Sequence, residues 1–248
     1  MSGKLLPLLF GLAFACFGQA KDKPTNFVDF LTDDLGWGDL ACYGHPVIKT
    51  PNLDKFAKQG MRFTQSYSAC GVCSPSRSSI LTGRTPYRNG VWRWIPGGHQ
   101  DHLRTSEVTS AELLKAKGYD TCHVGKWHLN VEPAAFYNFK LLPGQGKYHD
   151  PIFRVQGKLR WPRNTVSHKG QHSSDAITDS SLAWLRGRDK SKPFFLMHHF
   201  KAPHDMFDNA RRYDSYLEKV EIPEPASLYE RGNHGSVAVR GLNDSLLR

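Results

Sequence analysis

The chain has 248 residues, 39% of them apolar and 23% charged, with a formal net charge of +10. That length holds one large α/β domain rather than two generous ones, and the apolar content excludes a disordered chain. The positive charge favours polyanionic partners, but the basic residues are spread out, with no Lys/Arg run and no nucleic-acid-binding motif, so nucleic acid is set aside.

At the N-terminus, Met1 to Lys4 ends in a positive charge and Leu5 to Phe17 is almost wholly apolar. Gly18 and Ala20 then put small residues where a signal peptidase reads, and Lys21, Asp22 and Lys23 follow. This pattern predicts a cleaved secretory signal over residues 1–20, too short for a stable membrane anchor, and hence a secreted or periplasmic protein. No later stretch is apolar for long enough to span a bilayer. Of five cysteines, Cys16 leaves with the signal; Cys42, Cys70, Cys73 and Cys122 remain, enough for two disulfides in an oxidising compartment, though not at the spacing of a small disulfide scaffold.

From Asn26 to about Phe207, short apolar runs alternate with amphipathic segments, which predicts βα units and a mainly parallel sheet flanked by helices. The first strand is expected over Asn26 to Thr32. Thr50 caps a helix with Pro51 in its first turn, an apolar stripe of Leu53, Phe56 and Ala57, and Gly60 at its end. Met61 to Tyr67 reads as the next strand. Ser74 and Pro75 open a helix that runs to Gly83. Thr109 and Glu112 form a capping box before a helix ending at Gly118, and a strand follows over Tyr119 to Val124. Pro143 to Gly170, rich in Gly, Pro and basic residues, reads as a long excursion near the site. Asp175 to Arg186 is expected as helix and Pro193 to Phe200 as strand. After Phe207 the order fades, and Gly241 to Arg248 resembles the start of a helix.

Three predicted strands end in polar residues: Asp33 and Asp34 after the first, Lys126 and His128 after the next, and Lys201 and His204 after the last. Ligands of open α/β sheets bind at the carboxyl ends of strands, so the three sets suggest an anion held beside a pair of cation-binding carboxylates. Taken singly each has a plain reading. Asp33 and Asp34 alone read more readily as a loop cap than as a metal site, and Lys126 and His128 as surface residues; Cys70 with Cys73 could be a redox pair, but thioredoxin-type sites lack the Pro75, Ser76 and Arg77 that follow. A fourth element is Cys73, at the mouth of the helix opened by Ser74 and Pro75, where unpaired N–H groups and the helix dipole favour an anion, with Arg77 one turn in.

Cys73, Pro75, Ser76 and Arg77, followed by Leu81, Thr82, Gly83 and Arg84, resemble the signature of the sulfatase family. The blocks Leu31 to Asp39, Thr50 to Asp54, Gly125 to Leu129 and Lys201 to His204 resemble sulfatase blocks in the family's order, across nearly the whole chain after the signal. The resemblance implies an alkaline-phosphatase-like α/β fold and hydrolysis of sulfate esters by a formylglycine made from Cys73 by a formylglycine-generating enzyme. It further implies that Asp33, Asp34 and the modified Cys73 bind calcium, while Arg77, Lys126, His128 and His204 surround the aldehyde and the sulfate. In the implied mechanism a hydroxyl of the hydrated aldehyde attacks sulfur and the alcohol leaves in line, with a protonated histidine as acid. A sulfated sugar, small or polymeric, is the expected substrate, from export, basic charge and the aromatic rings of Trp92, Trp94 and Trp161.

Two departures from the family accompany the match. Asp29 falls within a strand where an apolar residue is expected, and an unpaired buried carboxylate there costs several kcal/mol or is forced neutral. The later Asp–Asn or Asp–His pair that completes a calcium site, a further sulfate-binding lysine and a small C-terminal domain have no counterpart. Asp208 and Asn209 follow no separate buried strand and are rejected for that role. Residues 21–248 are therefore expected to be an incomplete N-terminal sulfatase domain. The alternatives are a non-catalytic remnant and a formylglycine-dependent hydrolase of phosphate or phosphonate esters.

Overall fold

The computed structural model describes residues 23–96, 100–133, 135–160 and 162–224. The expected signal peptide, Trp161, and the segment from Gly241 onward lie outside them. The elements run β1 (Phe27–Leu31), α1 (Pro51–Gln59), α2 (Cys73–Thr82), α3 (Pro86–Asn89), α4 (Ser110–Ala116), β2 (Asp120–Lys126), β3 (Asn138–Leu142), β4 (Ile152–Val155), β5 (Thr165–Ser167), α5 (Ser173–Gly187) and β6 (Phe194–His199). The six strands form one sheet in the order β1-β6-β2-β3-β4-β5. The first three pairings are parallel and the last two antiparallel. This is the expected α/β architecture with a mainly parallel sheet.

The central strands are apolar on both faces because helices cover both. On one side Tyr119, Phe139, Leu141, Phe195 and Met197 pack with Leu81 of α2 and Ala111 of α4. On the other, Cys122, Val124, Leu142, Phe194 and Leu196 pack against Ala176 and Ile177 of α5. The period of two along β6, with Phe195 and Met197 to one side and Phe194 and Leu196 to the other, is the strand pleat read as packing.

Several expectations are corrected. Asp29 is neither unpaired nor deeply buried. Its strand, β1, is the edge of the sheet among the described residues, so its side chain keeps 34% exposure and pairs with His199 at 3.1 Å. Met61 to Tyr67 is not a strand: no neighbour among the described residues offers it a ladder, and Met61, Phe63 and Tyr67 stay exposed. Leu53 and Phe56 of the apolar stripe of α1 are likewise exposed among the described residues. The Pro143 to Gly170 excursion contains β4 and β5, which pair antiparallel on the flank of β3, itself a strand the sequence did not signal. All four described cysteines are free.

Candidate active site

The loops after β1, β2 and β6 meet at the carboxyl ends of their strands. Asp33 N–H donates to the Ala202 carbonyl at 3.1 Å and the Tyr148 hydroxyl to the His204 carbonyl at 2.6 Å, which ties the loops after β1 and β6 into place. Arg77, on α2, donates from NH1 to the carbonyl of Lys126 at 2.7 Å and from NH2 to Asp33 Oδ1 at 3.1 Å. Lys126 Nζ donates to the other oxygen of Asp33 and to Gln145 Oε1 at 2.6 Å. All three charged groups are buried. Burial would raise the Asp33 carboxyl, but Arg77 and Lys126 outweigh it and hold the group below its ordinary value. Burial pulls Lys126 down in turn, against the opposing pull of Asp33. Two cations on one carboxylate leave a net positive charge at this spot.

Helix α2 starts two residues earlier than Ser74 as cap would place it. Val72 is the N-cap, with no side-chain hydrogen bond, so Cys73 stands at the first helical position. The Ser74 hydroxyl instead accepts from Ile95 N–H at 3.3 Å. Uncapped N–H groups and the helix dipole thus face whatever lies beside Cys73. Cys73 and Arg77 line one cleft of about 740 Å³ with Asp33, Asp34 and Tyr67.

Asp34 is half exposed, with a left-handed backbone (φ 65°), and His204 Nε2 lies 3.7 Å from its carboxylate. His128 is buried and its Nε2 is bonded to the Ile95 carbonyl at 3.0 Å. A carbonyl only accepts, so Nε2 carries the hydrogen and Nδ1 is a bare acceptor, without a partner among the described residues. Burial, helped by Lys126, brings this imidazole down to about 4, so it is neutral near pH 7. Arg77 Nε is likewise buried and unpartnered, an orphaned donor beside the cleft.

Asp33, Arg77 and Lys126 are therefore in direct contact, Asp34 and His204 are neighbours, Cys73 lines a cleft with Asp33, Asp34 and Arg77, and His128 is bonded to Ile95. Asp208 is engaged elsewhere, with His149 and His172. Lys201 is buried over the Tyr148 ring at 4.5 Å. Two partners escaped the sequence reading. Gln145 was hidden in the excursion. His199 carried one signal, a second polar residue in an otherwise apolar strand that could answer the anomaly of Asp29.

The Sulfatase family model matches residues 25–231. The chain belongs to the sulfatase family. An N-acetylglucosamine-6-O-sulfatase of Bacteroides thetaiotaomicron is 36% identical over 231 residues, 91% of this chain and 39% of that protein. Human arylsulfatase A is 47% identical over 57% of this chain and 26% of its own length. Among solved structures, one in complex with its substrate D-glucosamine-2-N,6-O-disulfate superposes with a TM-score of 0.75 at 37% identity, covering 84% of this chain and 41% of that one. A sulfatase from Pseudoalteromonas sp. superposes at 0.63 and 27% identity, with 77% and 46% covered. This sulfatase chain thus spans about two fifths or less of the curated relatives named here.

Calcium takes six to eight oxygen ligands. Asp33 and Asp34 have the right chemistry, but both oxygens of Asp33 are committed to cations, and no group of three or more His, Cys, Asp or Glu able to hold a metal exists among the described residues. These residues alone do not make a calcium site.

Proposed function

We propose that this sulfatase hydrolyses sulfate esters of sulfated sugars at Cys73, after its conversion to formylglycine by a formylglycine-generating enzyme, and acts outside the cytoplasm after removal of residues 1–20. The observation that carries the reading is the buried Asp33–Arg77–Lys126 cluster, with its surplus positive charge, centred on Arg77 one turn into the helix that begins at Cys73. The bacterial relative's name and the disulfated glucosamine bound in the solved relative support a sulfated sugar, as do the net charge and the half-exposed Trp94 beside His128.

Formylglycine supplies an aldehyde whose hydrated form offers a hydroxyl to attack sulfur. The uncapped end of α2 and the Arg77 Nε–H bind the sulfate oxygens and offset the charge that sharpens on them as the ester bond breaks. Lys126 keeps Asp33 ionised and adds its own positive potential. His128, neutral near pH 7 with a bare, buried Nδ1, is not the acid. The acid that protonates the leaving alcohol is His204, placed beside Asp34 at the cleft. Asp33, Asp34 and the formylglycine at Cys73 would be this chain's share of a calcium site whose remaining oxygen ligands come from outside the described residues, and no step is drawn through the metal.

The test is hydrolysis of matched aryl sulfate and aryl phosphate esters by the chain co-expressed with a formylglycine-generating enzyme, against Cys73→Ala. Sulfate turnover abolished by Cys73→Ala supports the reading. Faster turnover of the phosphate ester makes the protein a phosphate or phosphonate hydrolase instead. Retained binding of sulfated polysaccharide with no turnover supports the alternative of a non-catalytic chain.

A further inference from the structure

One polar cluster lies directly beneath the site and has no part in the reading above. On the face of the sheet under α2, three neighbouring strands each contribute one ionisable side chain: Asp29 from β1, His199 from β6 and His123 from β2. The register places Asp29 opposite Met197 and His123 opposite Met197, so both are diagonal neighbours of His199 on the same face. His199 Nε2 lies 3.1 Å from Asp29 Oδ2. His199 Nδ1 lies 3.3 Å from Arg77 NH1 and 3.3 Å from His123 Nε2. Both histidines are buried.

The proton positions follow by elimination. A guanidinium only donates, so His199 Nδ1 accepts from Arg77. The ring hydrogen is then on Nε2, where it donates to Asp29. His123 must also donate to Nδ1 from its Nε2, which leaves its own Nδ1 bare, and that atom has no partner among the described residues. A second proton on His199 would point at the guanidinium. Burial first of all, with Arg77 among the further causes, lowers the basicity of both rings, and for His199 it outweighs the opposing pull of Asp29 and of the Lys126 backbone.

The consequence falls on Arg77. Its NH1 group has two hydrogens, one bound by the Lys126 carbonyl and one by His199; its NH2 holds Asp33. With NH1 fully used on the protein side, the guanidinium cannot turn about its long axis, and Nε–H stays free. We propose that His199, with its tautomer fixed by Asp29, is the positioning residue that sets the orientation of Arg77. Asp29 and His199 are then one device: the carboxylate that breaks the apolar pattern of β1 is there to answer the histidine that breaks the pattern of β6. Carboxylates orient metal-bound histidines in the same way, and here the oriented histidine holds a guanidinium. The value of Arg77 to catalysis rests on the sulfate-ester reading; the orientation of its guanidinium does not.

The experiment compares the full chain with His199→Asn, His199→Leu, Asp29→Asn and Asp29→Leu, each first checked for its fold by circular dichroism. Nitrogen-15 NMR of the imidazoles and guanidiniums needs no substrate. The expected result is a neutral Nε2–H tautomer of His199 in the parent and in Asp29→Asn, whose amide oxygen still accepts, and mixed tautomers in Asp29→Leu. Arg77 shows hindered rotation in the parent and in His199→Asn, whose amide oxygen replaces Nδ1, and averaged resonances in His199→Leu. An imidazolium, an Nδ1–H tautomer, or an Arg77 equally rigid in His199→Leu overturns the proposal; if that variant does not fold, the two Asp29 variants decide it. On aryl sulfate, kcat falls roughly 10- to 100-fold in His199→Leu with KM little changed, and His199→Asn recovers most of it. A parent inactive on sulfate esters refutes the functional reading alone and leaves the NMR result to judge this one.

Discussion

Replacing Gly125 by alanine tests how tightly β2 is locked against β6 at the base of the site. Gly125 has φ of 112°, a conformation that L side chains rarely adopt, and it pairs with His199 across the parallel ladder. A methyl group there would sit 1.7 Å from the His199 carbonyl oxygen and 2.7 Å from its carbon, both backbone atoms that cannot swing aside. The strands must separate by more than an ångström or Gly125 must change conformation. Either way the ladder beside Lys126 and His199 is lost. Overpacking costs about 1–3 kcal/mol, left-handed backbone strain about 1–2, and a broken ladder bond about 1, so a loss of roughly 3–6 kcal/mol is expected. That is a large share of the roughly 5–15 kcal/mol that holds a domain together. Urea unfolding followed by circular dichroism measures it. Gly187→Ala, near the C-terminal end of α5 with open space around it and no positive φ, is the control, expected to gain up to about 1 kcal/mol. If Gly125→Ala costs less than about 1 kcal/mol, the close approach of the two strands is refuted.

Three further expectations concern charge. Asp33→Asn leaves Arg77 and Lys126 buried without their carboxylate and costs about 3–5 kcal/mol, whereas Lys126→Met leaves a matched Asp33–Arg77 pair and costs less; the reverse order in denaturant titrations contradicts the assignment. His128 and His198 sit at about 4, against 6.5 when unfolded, both lowered chiefly by burial. The unfolded chain takes up these protons first as pH falls, so stability is full above about pH 6.5, drops between 6.5 and 4, and levels off below, by up to about 3 kcal/mol per ring. A urea midpoint equal at pH 7.5 and 4.5 rules this out, and His198→Asn flattens the slope. Glu107, buried, accepts from Arg84 NH1 on both oxygens at 2.8 and 2.7 Å, while Arg84 is half exposed; Glu107→Ala therefore lowers stability by about 1–2 kcal/mol, checked by the shift in thermal midpoint.

Much of this protein was legible from residue order. Three of the four parallel strands, β1, β2 and β6, announced themselves as apolar runs, and β2 and β6 are covered on both faces; the fourth, β3, gave no such signal. The capping box of Thr109 and Glu112 forms as read, since its spacing closes two hydrogen bonds locally. The sulfatase signature around Cys73 identified the family without any contact map. What the sequence misjudged were features settled by neighbours distant in the chain. Met61 to Tyr67 has the apolar content of a strand, but a strand needs a partner edge, and none is offered among the described residues. Asp29 read as a liability because its answer, His199, lies 170 residues away and comes alongside only when β6 pairs with β1. Gln145, the second partner of Lys126, reached the site through a turn whose path no local pattern describes. Local propensity and motif spacing determined the family, most of the elements and the ends of the strands. Only the tertiary structure decided which polar side chains share a buried space, because burial, and the pairing that makes it tolerable, belongs to the packed sheet and to no single segment of it.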